Sequence, residues 1–161
     1  MAGIIHLPAG HAKGEVMEME QDTELLQFVH KNAEMGCGTI PKVLELVEEP
    51  DMCQVLQQQL AEYTDIAGRA ESAIRARGQR PQEPGQISET MSDLMLRAKT
   101  AGNRSPSHIA EMMIRGSTMG TVQMTRRIHQ SEGRGDREAV DLARQLLKTE
   151  ESNIQQLKAF L

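Results

Sequence analysis

The chain has 161 residues, a formal net charge of −5 and 39% hydrophobic residues, which is one domain with a sizeable core. No long basic run is present to bind nucleic acid non-specifically, and no stretch approaches the roughly 20 apolar residues of a membrane-spanning helix. With only three aromatic residues but 11 methionines, the core must be aliphatic and Met-rich, which predicts an all-α protein.

The N-terminal region is predicted to be an irregular arm. Residues 1–21 contain three glycines and a proline without helical periodicity. The domain boundaries are therefore predicted as an arm over 1–21 and a four-helix bundle over 22–161.

The first predicted helix begins near Asp22 or Thr23, since either residue is a good N-cap. A seven-residue repeat gives its inward face: Leu26, Val29, Ala33, Gly36, Ile40, Val43 and Val47. Pro41 predicts a kink because it removes a helical hydrogen bond. Gly36 and Gly38 are predicted to let a neighbouring helix approach closely.

The second predicted helix starts at Pro50 and runs to about Arg77, where Gly78 caps it. Its inward face is Cys53, Leu56, Leu60, Tyr63, Ala67, Ala70 and Ile74. The few residues between the first two helices predict that they are antiparallel neighbours.

A long connection follows, over residues 79–106. It contains a predicted short amphipathic helix, about 88–101, with Met91, Leu94, Met95 and Ala98 on one face. The connection is long enough to cross the bundle, so that the third helix runs parallel to the second.

The third predicted helix covers about 107–129, and the fourth begins near Asp136 and runs to the end of the chain. The residues of the third helix that are predicted to be available to the core are Ile109, Met112, Met113, Gly116, Met119, Gly120 and Ile128. The fourth faces inward with Val140, Ala143, Leu147, Glu150, Ile154, Leu157 and Leu161.

Glu150 is the one carboxylate in this otherwise apolar face. An ionised carboxylate is costly there unless it is paired or hydrogen-bonded. We expect a polar group at the bundle centre, in which Tyr63, Gln123 or an extended Lys or Arg side chain satisfies Glu150. If a residual single-ion site exists, its candidate ligands are Glu150 and His30.

The pattern of two helical hairpins joined by a long crossover resembles the ferritin-like superfamily, especially its small uncharacterised bacterial members. The segments that carry the resemblance are ValGluGluPro (Val47–Pro50), Gly78–Pro81, IleAlaGluMetMetIleArgGly (Ile109–Gly116) and LeuLeuLysThrGluGluSerAsn (Leu146–Asn153). The resemblance implies a ferritin-like four-helix bundle whose crossover, between helices 2 and 3, contains a short helix.

Metal-binding members of that superfamily place a Glu on each of two helices and Glu-x-x-His on the other two. Here the matching pairs are Glu150 with Asn153 and Glu62 with Asp65, so both histidines are absent. The matching positions on the remaining helices are Ala33 and Gly36 on the first and Ser117 on the third. We therefore expect no complete two-metal site and no cofactor, apart from residual iron or manganese.

The expected function is that of a structural or partner-binding protein, with a homodimer as one such arrangement. No phosphate loop, nucleophile–base pair or dinucleotide turn is present, which favours a non-enzymatic role without catalytic residues. One alternative is a ferritin-type metal-dependent oxidase or metal store. Another is a small-ligand carrier with a Met-rich interior, although methionine at helical spacing usually fills a core.

We expect no nucleic-acid or membrane partner. Cys37 and Cys53 are sixteen residues apart without a CxxC pairing, and no signal peptide is evident. These observations predict a cytoplasmic protein with two free thiols.

Overall fold

The computed structural model describes residues 9–83, 102–134 and 136–161. In that part of the chain four helices form and no strand does, so the prediction of an all-α protein is confirmed. The helices are α1 (Ala9–Leu44), α2 (Pro50–Ala76), α3 (Pro106–Ser131) and α4 (Arg137–Lys158). None of the described helices is both long and apolar enough to span a membrane. The predicted crossover helix over 88–101, with Met91 and Met95, lies outside the described residues.

Side-chain caps fix the starts of three helices. Glu49 accepts hydrogen bonds from the N–H groups of Asp51 and Met52 at the start of α2. Ser105 and Asp136 cap α3 and α4 in the same way. These side chains satisfy N–H groups that have no partner within the first helical turn. The predicted starts of α2 at Pro50 and of α4 near Asp136 are confirmed.

The N-terminal prediction was wrong, because α1 begins at Ala9 rather than near Asp22. The irregular arm predicted over 1–21 is therefore helical from residue 9, and residues 1–8 lie outside the described part. Good helix formers dominate this stretch, and each of its two glycines, Gly10 and Gly14, costs only about 1 kcal/mol. A helix that continues from a folded body also avoids the cost of nucleation.

At one end of the bundle the start of α4 meets α1 and α2. The Asp136 N–H donates to Asp22 of α1, and Arg77, just after α2, donates to the Asp136 carboxylate. Arg127, near the end of α3, stacks on Phe28 of α1 at 4.1 Å from the ring centroid. This end therefore holds the end of α2, the end of α3 and the start of α4.

The opposite end holds the α1–α2 turn and the start of α3. Val47 and Glu49 line one pocket there together with Pro106 and Ile109. It follows that α2 and α3 point in the same direction, as do α1 and α4. Residues 77 and 106 therefore lie at opposite ends of the bundle.

The core is aliphatic and Met-rich, and most predicted inward positions of α1 and α2 are buried. In α4 the buried face passes through Leu146, Glu150, Asn153 and Leu157, whereas Leu161 is 63% exposed. A strict seven-residue repeat drifts by about 20° per repeat relative to a straight helix. For this reason the sequence predicted Leu147 and Ile154 as inward positions, whereas both are only half-buried.

Met119 was also predicted to face the core, but it is 60% exposed. It lies six residues after buried Met113, which places it roughly 240° further round the helix. Met124, with 2% exposure, occupies the interior instead.

Candidate functional site

A polar cluster lies at the centre of the bundle, and Glu150 of α4 is its charged member. Glu150 is 8% exposed, which agrees with the predicted inward position. Asn153 is fully buried three residues later, and residues three apart on a helix share a face. The Glu-x-x-Asn pair therefore points into the bundle as a unit.

Tyr63 of α2 reaches this cluster because Gly36 of α1 leaves room for its ring. A Cβ atom at Gly36 would lie 2.6 Å from Cδ2 of Tyr63, which is closer than packed carbon atoms approach. The predicted close approach is confirmed at Gly36. It is wrong for Gly38, which is exposed and has no atom within 4 Å of a Cβ.

The Tyr63 hydroxyl lies beside Glu150, Asn153 and Ser117. Burial raises the pKa of Tyr63 far above its ordinary value, and the negative charge of Glu150 raises it further. The phenol is therefore a neutral hydrogen-bonding group at any physiological pH.

Burial also raises the pKa of the Glu150 carboxyl group above its ordinary value. The Ser117 and Tyr63 hydroxyls oppose this effect, because they stabilise the ionised form, but burial is the larger cause. In the described residues no Lys or Arg forms an ion pair with Glu150. Within the described part of the chain, the site is therefore a carboxyl group without a counter-ion.

Several buried polar atoms of the cluster have no hydrogen-bond partner among the described residues. They are Oε2 of Glu150 and both amide atoms, Oδ1 and Nδ2, of Asn153. Most buried polar groups in folded proteins are hydrogen-bonded. The centre of the bundle thus has hydrogen-bonding capacity that the described side chains do not use.

An open position lies on α3, on the helix face that carries Ser117. Gly120 lies between buried Met113 and Met124 on the same face of α3, three residues after Ser117. A Cβ atom added at Gly120 would meet no atom within 4 Å.

The sequence placed some members of this cluster correctly and missed others. Glu150 and Tyr63 lie together as predicted, but Gln123 is exposed, so its assignment to the bundle centre was wrong. Gln123 precedes buried Met124, and one residue turns a helix by about 100°. Ser117 and Asn153 complete the cluster, and their match to ferritin-like ligand positions was the signal that could have identified them.

His30 does not lie at this level of the bundle. It is 6% exposed and its Nδ1 has no partner among the described residues. It precedes Gly36, the contact of Tyr63, by six residues, or about 9 Å along α1. In the described part of the chain no group of three or more His, Cys, Asp and Glu side chains could hold a metal ion.

Comparison of the chain with protein-family models, with curated proteins and with solved structures finds no match. The function must therefore be argued from the geometry.

The buried carboxyl group makes the stability of the fold depend on pH. Because the folded-state pKa of Glu150 is raised, its stabilising contribution is complete below the ordinary Glu pKa of about 4.3. That contribution is lost as the pH rises through the folded-state value. We expect Glu150→Gln to gain stability relative to the unmutated chain between pH 4.5 and 7, by about 1 kcal/mol.

Chemical denaturation of both chains across this pH range measures the effect. Comparing the variant with the unmutated chain cancels the contribution of Asp22, whose pKa is also raised by burial. Glu151→Gln is the matched control, since Glu151 is exposed. An equal stability difference at pH 4.5 and pH 7 would show that the Glu150 carboxyl group is not desolvated.

Proposed function

We propose that this protein is a ferritin-like four-helix bundle without a two-metal site, and that it acts as a structural protein by pairing with a second copy of itself. The parallel directions of α2 and α3 support the ferritin-like topology, since that fold needs a crossover between its two hairpins. The central cluster supports the lack of a two-metal site, because Glu150 is followed by Asn153 where a histidine ligand is needed. The proposal that two copies pair rests on the exposed side chains in the N-terminal part of α1.

Residues 13–21, which we term the α1 extension, stand beyond the level at which the other helices end. Asp22 marks that level through its contact with Asp136. Every described side chain of the extension is exposed, including Val16 at 55%, Met17 at 58% and Met19 at 62%. An isolated helix this short is only marginally stable in water, so covering its apolar side chains would stabilise it.

A second exposed surface lies on α3. Arg115, Met119, Val122 and Arg126 follow each other at spacings of four, three and four residues, which places them on one face of the helix. We term these residues the α3 stripe. Met119 is 60% exposed and Val122 is 56% exposed, and an arginine lies on either side of this apolar pair.

The α1 extension and the α3 stripe are complementary. The extension carries Glu15 and Glu20 around its apolar side chains, and the stripe carries two arginines around its own. Opposite charges at the rim of an apolar contact favour association and set its orientation. The Arg115–Glu111 pair within α3 is exposed and therefore weak, so it does not compete strongly.

The partner that fits this geometry is a second copy of the chain. The extension continues α1 away from the bundle, past the end where Arg127 of α3 meets Phe28, so it cannot fold back onto its own stripe. Two copies can each place an extension on the stripe of the other. Such a reciprocal exchange gives a closed two-fold dimer.

Sedimentation velocity tests the proposal by measuring the oligomeric state. We expect a dimer that dissociates in the double variant Arg115→Glu/Arg126→Glu. Adding Glu15→Arg and Glu20→Arg to the same chain should restore the dimer, because the charges are then exchanged. The control is Arg69→Glu/Arg75→Glu, which reverses two exposed charges on α2. A monomeric unmutated chain, or a dimer indifferent to the α3 reversals, would contradict the proposal.

A further inference from the structure

The methionines of the described residues fall into two classes that differ in solvent exposure, with half-buried Met35 between the two classes in exposure. The members of one class fill the core and are at most 7% exposed: Met52, Met112, Met113 and Met124. The members of the other class are 58–62% exposed: Met17, Met19 and Met119. An oxidant in solution therefore reaches the thioether sulfur atoms of the second class and is kept from those of the first.

All three exposed methionines lie on the two surfaces that we propose to pair. Met17 and Met19 belong to the α1 extension, and Met119 belongs to the α3 stripe. Together with Val16 and Val122, their side chains supply the exposed apolar atoms of both surfaces. A change in the polarity of these three side chains would therefore act directly on the contact between two copies.

Methionine sulfur reacts with peroxides by oxygen transfer. The sulfur lone pair attacks one oxygen of hydrogen peroxide, so that a sulfur–oxygen bond forms and the oxygen–oxygen bond breaks. The sulfur gives up two electrons to the peroxide, and the proton of the transferred oxygen passes to the departing hydroxide, which leaves as water. The product is methionine sulfoxide, a polar group in place of an apolar one.

A sulfoxide is unfavourable at an apolar contact. Burial removes its oxygen from water, which costs free energy unless a hydrogen-bond donor meets it. The donors that the stripe itself carries are Arg115 and Arg126, which in the pair face the carboxylates of the extension. A neutral sulfoxide would have to compete with those carboxylates for the arginines, so oxidation weakens the contact in either case.

We propose that Met17, Met19 and Met119 are sulfoxidation sites through which a peroxide separates the two copies, a proposal that rests on the pairing described above. The pair covers these side chains, so the oxidant reacts with the separated copies that exchange with it. Oxidised copies pair poorly, and the population shifts towards single copies by mass action. The buried core methionines are spared, so the fold persists, and methionine sulfoxide reductases restore the thioethers.

Peptide mass spectrometry after graded treatment with hydrogen peroxide tests where oxidation occurs. The three exposed methionines should be oxidised before the core methionines Met52 and Met124. Their oxidation should also slow as the protein concentration rises into the range in which the pair forms, because pairing covers them. Oxidation of the core methionines should not depend on protein concentration in this way.

Sedimentation velocity before and after the same treatment tests the effect on pairing. We expect the dissociation constant of the dimer to rise by about tenfold or more. The variant Met17→Leu/Met19→Leu/Met119→Leu keeps apolar side chains of similar volume without a thioether, so peroxide should leave its dimer unchanged. This variant retains Cys37, Cys53 and the core methionines, and it is therefore the control for their oxidation. A methionine sulfoxide reductase should restore the dimer of the treated, unmutated chain.

The possible outcomes separate this proposal from the pairing on which it rests. A monomeric untreated chain would contradict the pairing itself, and the regulation would fall with it. An untreated dimer whose dissociation constant stays the same once all three exposed methionines are oxidised would leave the pairing intact and overturn only the regulation. Equal dissociation of the treated leucine variant, or core methionines oxidised as fast as the exposed ones, would also overturn it.

Discussion

Replacing Gly36 by alanine is expected to lower the free energy of unfolding by about 2 kcal/mol. The added methyl group would lie 2.6–2.9 Å from three ring atoms of Tyr63, at the end of the ring nearest the α2 backbone. This part of a buried ring cannot move without shifting the helix that carries it. The gain in helix propensity from glycine to alanine, about 1 kcal/mol, is smaller than the expected cost of overpacking.

Gly38→Ala in the same helix is the matched control. A Cβ atom there meets nothing within 4 Å, so only the helix propensity changes and stability should rise by up to about 1 kcal/mol. Urea denaturation of the two variants, with Tyr63 fluorescence as one signal, measures both effects. If Gly36→Ala were as stable as Gly38→Ala, the packing of Tyr63 on α1 would be wrong.

Replacing Arg77 by alanine is expected to cost about 2 kcal/mol, because the guanidinium group joins the end of α2 to the start of α4. Its side chain is only 18% exposed and donates to the carboxylate of Asp136 and, at 3.2 Å, to that of Glu138. It also donates to the carbonyl oxygen of Ala73 at 2.8 Å. Asp136 in turn caps α4, and its backbone N–H donates to Oδ1 of Asp22 in α1 at 2.7 Å.

Arg75→Ala, two residues earlier, is the matched control. It separates the effect of losing this network from the effect of losing an arginine side chain in general. Arg75 is 60% exposed and, among the residues that the structure describes, pairs only with Glu71 on its own helix. Its removal should therefore change stability by no more than about 0.5 kcal/mol. Thermal or urea denaturation of the two variants gives the comparison. Equal effects at the two positions would show that the contacts at Arg77 do not hold the helix ends together.

The starts of α2 and α4 could be predicted because their causes are local. Pro50 suits the first turn of a helix, and Asp136 supplies a side-chain acceptor for N–H groups two residues away. The start of α1 could not be located in this way. Its exposed first turns have no local stop signal strong enough to end a helix that the folded body has already nucleated.

For the candidate site, too, some residues could be predicted from the sequence and others could not. Periodicity correctly predicted that Glu150 faces inward and that Tyr63 lies on the inward face of α2. It failed for Met119, because a heptad repeat loses its phase over a long straight helix. Gln123, proposed as a hydrogen-bond partner of Glu150, is exposed instead. The membership of Ser117 depends on how α3 is rotated against α2 and α4, and no repeat within α3 contains that information.

The sequence by itself determined that this protein is all-helical, that α1 and α2 form a hairpin, and that one carboxylate lies in its interior. These features depend on propensity, caps and periodicity within single segments. Only the tertiary structure decided which polar atoms surround Glu150, that Gly36 contacts the Tyr63 ring while Gly38 contacts no neighbouring helix, and that the Asn153 amide has no hydrogen-bond partner among the described residues. Such properties arise between helices, because they depend on the rotation and level of each helix relative to its neighbours.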